Sequence, residues 1–115
     1  MSFSKLKQRL RRKRRIRKNI FGTPEKPRLS VYRSLRHVYA QLIDDLNTKT
    51  LAEANSLKLG FKSGNRKAAE LVGAAIAQKA KQMKVEKAAF DRNGFLYHGA
   101  VKALSDGARK EGLKF

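Results

Sequence analysis

From Arg28 to Arg33 apolar and polar residues alternate, with Leu29 and Val31 on one side and Ser30 and Tyr32 on the other. The same period of two returns over residues 37–43, where Val38, Ala40 and Leu42 fall together. The pattern predicts two strands. Only Ser34, Leu35 and Arg36 separate them, which is hairpin length, so the strands are expected to be antiparallel neighbours with a basic tip. Asp44, Asp45, Asn47 and Thr48 read as a turn, residues 50–54 as a weaker, Ala-rich third strand, and the stretch through Gly60 and Gly64 as a loop.

After Asn65 the period changes. Ala68, Leu71, Val72, Ala75, Ile76, Ala80 and Met83 recur at steps of three and four, which predicts a helix capped by Asn65. Its small residues, Gly73 above all, suit a close approach to a sheet. Residues 85–90 read as a fourth strand, Asp91, Arg92, Asn93 and Gly94 as a loop, and Gly99 to Gly112 as a second helix with Val101, Leu104 and Ala108 inward. The order is β-β-β-α-β-α. A helix between the third and fourth strands most simply makes a parallel crossover, so the expected fold class is α/β, a mixed four-stranded sheet with helical cover.

The N-terminal segment fits neither pattern. From Lys5 to Lys18 ten of fourteen residues are Lys or Arg, and no acid precedes Glu25. Like charges so dense repel one another over a Debye length of about 8 Å, so the segment calls for a polyanion: RNA, DNA or an anionic membrane. Phe3, Leu6, Leu10, Ile16 and Ile20 are interleaved without Gly or Pro, so a helix could form on a partner, with Phe3, Leu6 and Leu10 as a short apolar edge. Gly22, Pro24 and Pro27 then punctuate a linker. The expected organisation is an arm and linker over residues 1–27 and a single α/β domain over residues 28–115, since a chain of 115 residues has material for one core.

Charge extends beyond the arm. The net charge is +19, and after the ten bases and one acid of residues 1–25 the rest of the chain still carries eighteen bases against eight acids. This favours one broad polyanion footprint over a detachable targeting tail. There is no cysteine, which excludes disulfides, thiolate chemistry and cysteine-based zinc sites. The charges at the N-terminus are not followed by the apolar run of a signal peptide, and no 18-residue apolar span occurs, so the expected protein is soluble and intracellular.

Candidate chemistry outside the arm is sparse. His37 and His98 stand alone, without a second His or a paired carboxylate at metal-ligand spacing, so no metal is expected. Asp44 and Asp45 read as turn residues rather than an acid/base pair. Ser63 to Lys67 places a glycine and bases at a helix start without P-loop spacing, which leaves a plain N-cap and a phosphate contact through Asn65 and Arg66 both open. Tyr32 and Tyr39 sit opposite Leu29 and Val38 beside Arg28, Arg33 and Arg36, and suit either stacking on bases or packing within the fold. Phe90, Phe95 and Tyr97 around Arg92 carry the same two readings.

Two long stretches, PRLSVYRSLRHVYAQLIDD (Pro27 to Asp45) and FDRNGFLYHGAVKALSDGARKEGLKF (Phe90 to Phe115), closely resemble the bacterial L18 (uL18) ribosomal protein family, in order and over nearly the whole chain. The resemblance implies a structural, non-enzymatic component of the large ribosomal subunit that binds 5S ribosomal RNA and helps attach it to 23S ribosomal RNA in the central protuberance, near protein L5. It also implies a ribonuclease-H-like architecture without that enzyme's metal-binding carboxylates, and no cofactor. Asn93, Phe95 and Ala100 stand where Gly, Tyr and Arg are usual in the family. Asn tolerates a left-handed turn, whereas Phe95 lacks a hydroxyl and Ala100 a cation, so Ala100 is left out of the binding set.

The candidate RNA-binding residues are therefore Lys5, Lys7, Arg9, Arg11, Arg12, Lys13, Arg14, Arg15, Arg17 and Lys18 in the arm. On the body they are Arg28, Arg33, Ser34, Arg36, His37 and Tyr39 at the hairpin, Asn65 and Arg66 at the helix start, and Asp91, Arg92, Tyr97 and His98 in the late loop. A DNA-compacting protein and a membrane-active basic helix are the competing readings of the same charge.

Overall fold

A computed structural model describes residues 2–115; Met1 and the side chains of residues 2 and 3 lie outside it, and with them the Phe3 part of the expected apolar edge. The chain runs through helix α1 (Ser2–Arg17), strands β1 (Arg28–Arg33), β2 (Val38–Asp44) and β3 (Lys49–Asn55), helix α2 (Arg66–Gln82), strand β4 (Ala89–Asp91) and helix α3 (Gly99–Lys110). The fold is α/β. Its four strands form one mixed sheet in the order β3-β2-β1-β4, with β1 antiparallel to β2, β2 antiparallel to β3, and β4 parallel to β1. The crossover through α2 is what makes β4 parallel.

The period of two along β1 and β2 sorts their side chains as the sequence predicts. Leu29, Val31, Val38, Ala40 and Leu42 are all withdrawn from solvent, and they join Val72 and Ile76 of α2 and Val101, Leu104 and Ala108 of α3 in one core. The hairpin closes through Ser34, whose N–H donates to the His37 carbonyl at 2.9 Å and whose Oγ accepts the His37 N–H at 3.2 Å. His37 thus belongs to the turn, and β2 starts at Val38.

Asn65 caps α2 as expected, its Oδ1 accepting the Ala68 N–H at 2.9 Å. The buried stripe of α2 differs from the expected one: Leu71 and Met83 are exposed, and Ala69, Gly73 and Ala77 lie inward. The reason is the partner. Gly73 faces α3 rather than the sheet, because a Cβ there would overlap the Leu104 carbonyl oxygen, and a Cβ at Gly107 of α3 would overlap that of Glu70. Two glycines let the helices touch backbone to backbone.

The fourth strand is shorter than the expected residues 85–90. Lys84, at φ 60°, turns the chain out of α2, and the Val85 N–H returns to the Ala80 carbonyl at 2.8 Å. Residues 86–88 pair with the C-terminal segment instead, through Lys114 N–H to Glu86 O at 3.0 Å and Ala88 N–H to Lys114 O at 2.9 Å. Only Ala89–Asp91 pairs with β1, so Asp91 is a strand residue and not a loop residue.

The segment read as a linker is packed on the body. Pro27 is fully buried, the Gly22 N–H donates to Asp45 Oδ2 at 2.8 Å, and the Asp45 N–H donates to the Gly22 carbonyl at 2.9 Å.

Candidate nucleic-acid interface

Helix α1 has two basic faces. Arg9, Arg12, Lys13 and Ile16 follow one another at helical steps and are all partly buried, whereas Lys5, Lys7, Arg11, Arg14, Arg15, Arg17 and Lys18 are exposed, together with Leu6 and Leu10. The inner face is a latch. Arg9 Nε donates to the Asn93 carbonyl at 3.1 Å, Arg12 Nε donates to the Gly94 carbonyl at 2.7 Å, and the Arg9 guanidinium stands 4.0 Å above the Phe95 ring. Arg9 and Arg12 are candidate phosphate ligands by sequence, and the structure turns them toward the protein. The basic arm is thus a formed helix held against the loop after β4, with the cations of its outer face turned to solvent.

That loop is built to receive the helix. Asn93 adopts φ 52° and Gly94 φ 77°, the left-handed region anticipated for Asn93. The Asn93 side chain donates to Ser30 Oγ and to the Val31 carbonyl, both at 2.8 Å, and Arg92 Nη1 donates to the Phe95 carbonyl at 2.8 Å. Arg92 therefore braces its own loop.

Arg28 and Asp91 leave the candidate surface altogether. Arg28 Nη1 lies 2.9 Å from Asp91 Oδ2, and its Nε and Nη2 reach Asp45 at 3.0 and 3.1 Å, with the Asp91 side chain fully buried. Burial opposes the charge on Arg28, but the hydrogen bonds and charges of Asp45 and Asp91 outweigh it and hold the guanidinium above its ordinary value. The Arg28 hydrogen bond in turn holds the Asp45 carboxyl below the usual carboxylate range, against some desolvation and helped by the Gly22 N–H. Asp44 is the turn residue of the pair, its carboxylate accepting from Leu46 N–H, Asn47 N–H and Asn47 Nδ2.

The remaining candidates converge. Arg33, Gly64, Asn65, Arg66, His98 and Gly99 line one open cleft of about 520 Å³, and a second of about 270 Å³ joins Arg33, Ser34, Arg36 and His37 to Ser63 and Asn65. The hairpin tip is tied to the start of α2 by the Gly64 N–H, which donates to the Arg36 carbonyl, and a Cβ at Gly64 would crowd the His37 backbone. His98 occupies the N-cap position of α3 without a capping side-chain bond, and the first turn holds no acid. Amides at the start of α3, with Arg33 and Arg66 beside them, form a positive concavity suited to a phosphate oxygen.

Sequence comparison supplies the context for this geometry. The model of the family described as ribosomal L18 of archaea, bacteria, mitochondria and chloroplast matches residues 3–115. The chain belongs to the L18 family. It is 56% identical over 109 residues to the large ribosomal subunit protein uL18 of Clostridium botulinum (strain Langeland), covering 93% of this chain and 92% of the relative. With the same-named protein of Myxococcus xanthus it shares 55% over 116 residues, 97% of this chain and 98% of the relative. With that of Azobacteroides pseudotrichonymphae it shares 54% over 108 residues, 94% and 95% of the two chains. The L18 family is structural rather than catalytic, and the chain is not an enzyme. No helix among the described residues is long and apolar enough to cross a membrane.

Within this L18-family chain, two further candidates are engaged in the fold. The Tyr97 hydroxyl is 2.5 Å from Ser105 Oγ and accepts from Arg109 Nη1 at 3.2 Å, and its ring meets Phe90 edge-on. Tyr39 lies across from Tyr32 with ring centroids 6.1 Å apart, on the sheet face away from α2 and α3. One residue that the sequence did not single out is Ser56. Its buried hydroxyl accepts the Val38 N–H at 3.1 Å and lies 2.8 Å from His37 Nδ1, which leaves Nε2 as the imidazole's outward nitrogen. No local pattern marks Ser56, because its partners come from another strand.

Proposed function

We propose that the chain is a structural constituent of the large ribosomal subunit, in the cytoplasm, that binds 5S ribosomal RNA and helps attach it to 23S ribosomal RNA in the central protuberance beside protein L5. Family membership supports the ribosomal part. The RNA, L5 and location assignments rest on the two long stretches that resemble the family. The observation that carries RNA binding is the convergence on Arg33 of the hairpin tip and the starts of α2 and α3. Arg33, Arg36, His37, Arg66 and His98 are carried there by the hairpin and the two helix starts, where together they can read a backbone shape, while the outer face of α1 neutralises phosphates along any path. Lys5, Lys7, Arg11, Arg14, Arg15, Arg17 and Lys18 supply that second, adaptable part. Recovering the full chain from cell lysate and sequencing the RNA bound to it tests the proposal. Strong enrichment of 5S ribosomal RNA is expected; bulk RNA in lysate proportions, or DNA, contradicts it.

A further inference from the structure

Tyr32 of β1 lies directly across from Tyr39 of β2, and Ser30 directly across from Gln41. Opposed residues in an antiparallel pair share a face, here the one turned away from α2 and α3. With Ser34 at the turn, these four side chains line an open groove of about 370 Å³. Its floor is aromatic and its rim polar. Tyr32 is 47% exposed near the hairpin end of β1, beyond the reach of β4, which pairs only with Arg28–Ser30, so its ring is open to a partner.

The platform is braced by the loop after β4 and by α1. Tyr32 meets Phe95 edge-on at 5.8 Å, and the Arg9 guanidinium stands 5.8 Å from the Tyr32 centroid while it covers Phe95. On the other side Gln41 stands across from Glu53 of β3, whose carboxylate lies 2.9 Å from Lys58 Nζ. Arg9 of α1 flanks the groove on one side, whereas Arg33, one residue on from Tyr32, takes the opposite face and lines the cleft at the starts of α2 and α3. A cation beside an exposed ring, with amide and hydroxyl groups next to it, is the chemistry of an unpaired nucleotide: phosphate to the cation, base to the ring, base edge to the polar groups.

We propose that this groove holds one unstacked nucleobase of a single-stranded or bulged RNA segment, stacked on the Tyr32 and Tyr39 platform with Ser30, Ser34 and Gln41 along its edge. The inference rests on the RNA-binding reading above. It assigns Ser30, Tyr32 and Gln41 a role beyond the phosphate contacts of that reading. A paired base cannot enter, since both of its faces are already stacked in the duplex.

The test uses the full chain, a nine-nucleotide oligouridylate, a twelve-base-pair RNA duplex and 5S ribosomal RNA, at one salt concentration. Tyr32→Leu and Tyr39→Leu are each expected to weaken oligouridylate and 5S binding by about 5- to 150-fold, the range found when a stacking ring is removed, with duplex binding unchanged. Tyr32→Phe should bind like wild type, because it keeps the ring. Irradiation of the complex with 4-thiouridine-substituted oligouridylate should cross-link Tyr32 or Tyr39, and this readout also decides the matter if Tyr39→Leu does not fold. Equal losses on duplex and single strand, no loss on either, a cross-link elsewhere, or displacement of oligouridylate by polyglutamate at equal charge would overturn the groove. Wild-type protein that prefers 5S ribosomal RNA while the leucine variants bind it equally well removes the groove and leaves the 5S reading standing. Absence of any 5S preference removes that reading and leaves the oligonucleotide comparison decisive for the groove.

Discussion

A Cβ on Gly94 would overlap the carbonyl oxygen of Arg9, so the loop after β4 and the basic helix meet backbone to backbone. Gly94 also sits at φ 77°, where other residues are strained. The contact brings the Arg9 and Arg12 side chains within reach of the loop carbonyls, two hydrogen bonds each contributing about 0.5–1.5 kcal/mol or somewhat more for a charged donor.

Gly94→Ala should therefore free α1 without unfolding the core. Trypsin cleavage within residues 5–18 is expected to accelerate roughly 5- to 150-fold, as loss of about 1–3 kcal/mol of docking implies when opening is fast. Unchanged cleavage kinetics would mean that the helix is held by something other than this loop.

Arg28 joins β1 to the Asp45 turn and to the buried Asp91 carboxylate. Arg28→Ala leaves Asp91 buried and unpaired, which should cost about 3–5 kcal/mol in urea unfolding at neutral pH. Arg36→Ala, exposed at the hairpin tip, should stay within about 0.5 kcal/mol of wild type. Equal effects of the two would contradict the separation of structural from surface arginines.

Acid should weaken the same cluster. Asp45 has its folded-state pKa lowered by Arg28, so the stabilisation is complete above the unfolded value of about 3.9 and is lost as pH falls through the lower folded value. Asp45→Asn is expected to be less stable at pH 7 and to lose less stability between pH 5 and pH 2 than wild type does. Parallel pH profiles for the two proteins would contradict the pairing.

The sheet was legible because period-two burial is a local signal, and so were the N-cap Asn65 and the inward face of α3. What was not legible depends on contacts distant in sequence. Arg28 and Asp91 read as surface groups because nothing near either one reveals a partner 63 residues away. The inner face of α1 was hidden for a related reason: a helix stripe of Arg9, Arg12 and Lys13 looks solvated until Asn93 and Gly94 offer carbonyls to it. Residues 85–88 read as strand beside Ala89 and Phe90, but Val85 bonds back to Ala80 and the C-terminal segment takes the backbone bonds of Glu86 and Ala88. Of the candidate interface, Arg33, Arg36, Asn65, Arg66 and His98 are proposed one by one from the sequence, and the fold brings them around two clefts that share Arg33 and Asn65.

The two faces of α1 separate in salt dependence. Replacing Arg11, Arg14, Arg15 and Lys18 by Gln should lower the log-log slope of RNA affinity against salt by about three units, at about 0.7–0.9 for each phosphate that is no longer neutralised. An unchanged slope would mean that the outer face points away from RNA.

At the hairpin, Arg33→Lys with Arg36→Lys keeps the charge and removes the planar fork that pairs with phosphates or stacks on bases. The double variant should lose about 1–3 kcal/mol toward 5S ribosomal RNA and almost nothing toward unrelated RNA. Equal losses on both would move recognition away from the tip.

The most direct measurement is the affinity of the wild-type chain for 5S ribosomal RNA against an unrelated RNA of the same length, by competition at about 0.2 M salt, where nonspecific charge attraction is weakened. A preference on the order of a thousandfold for 5S ribosomal RNA is expected of a surface that reads shape as well as charge. Equal affinity for the two RNAs, or for random duplex DNA, would contradict it.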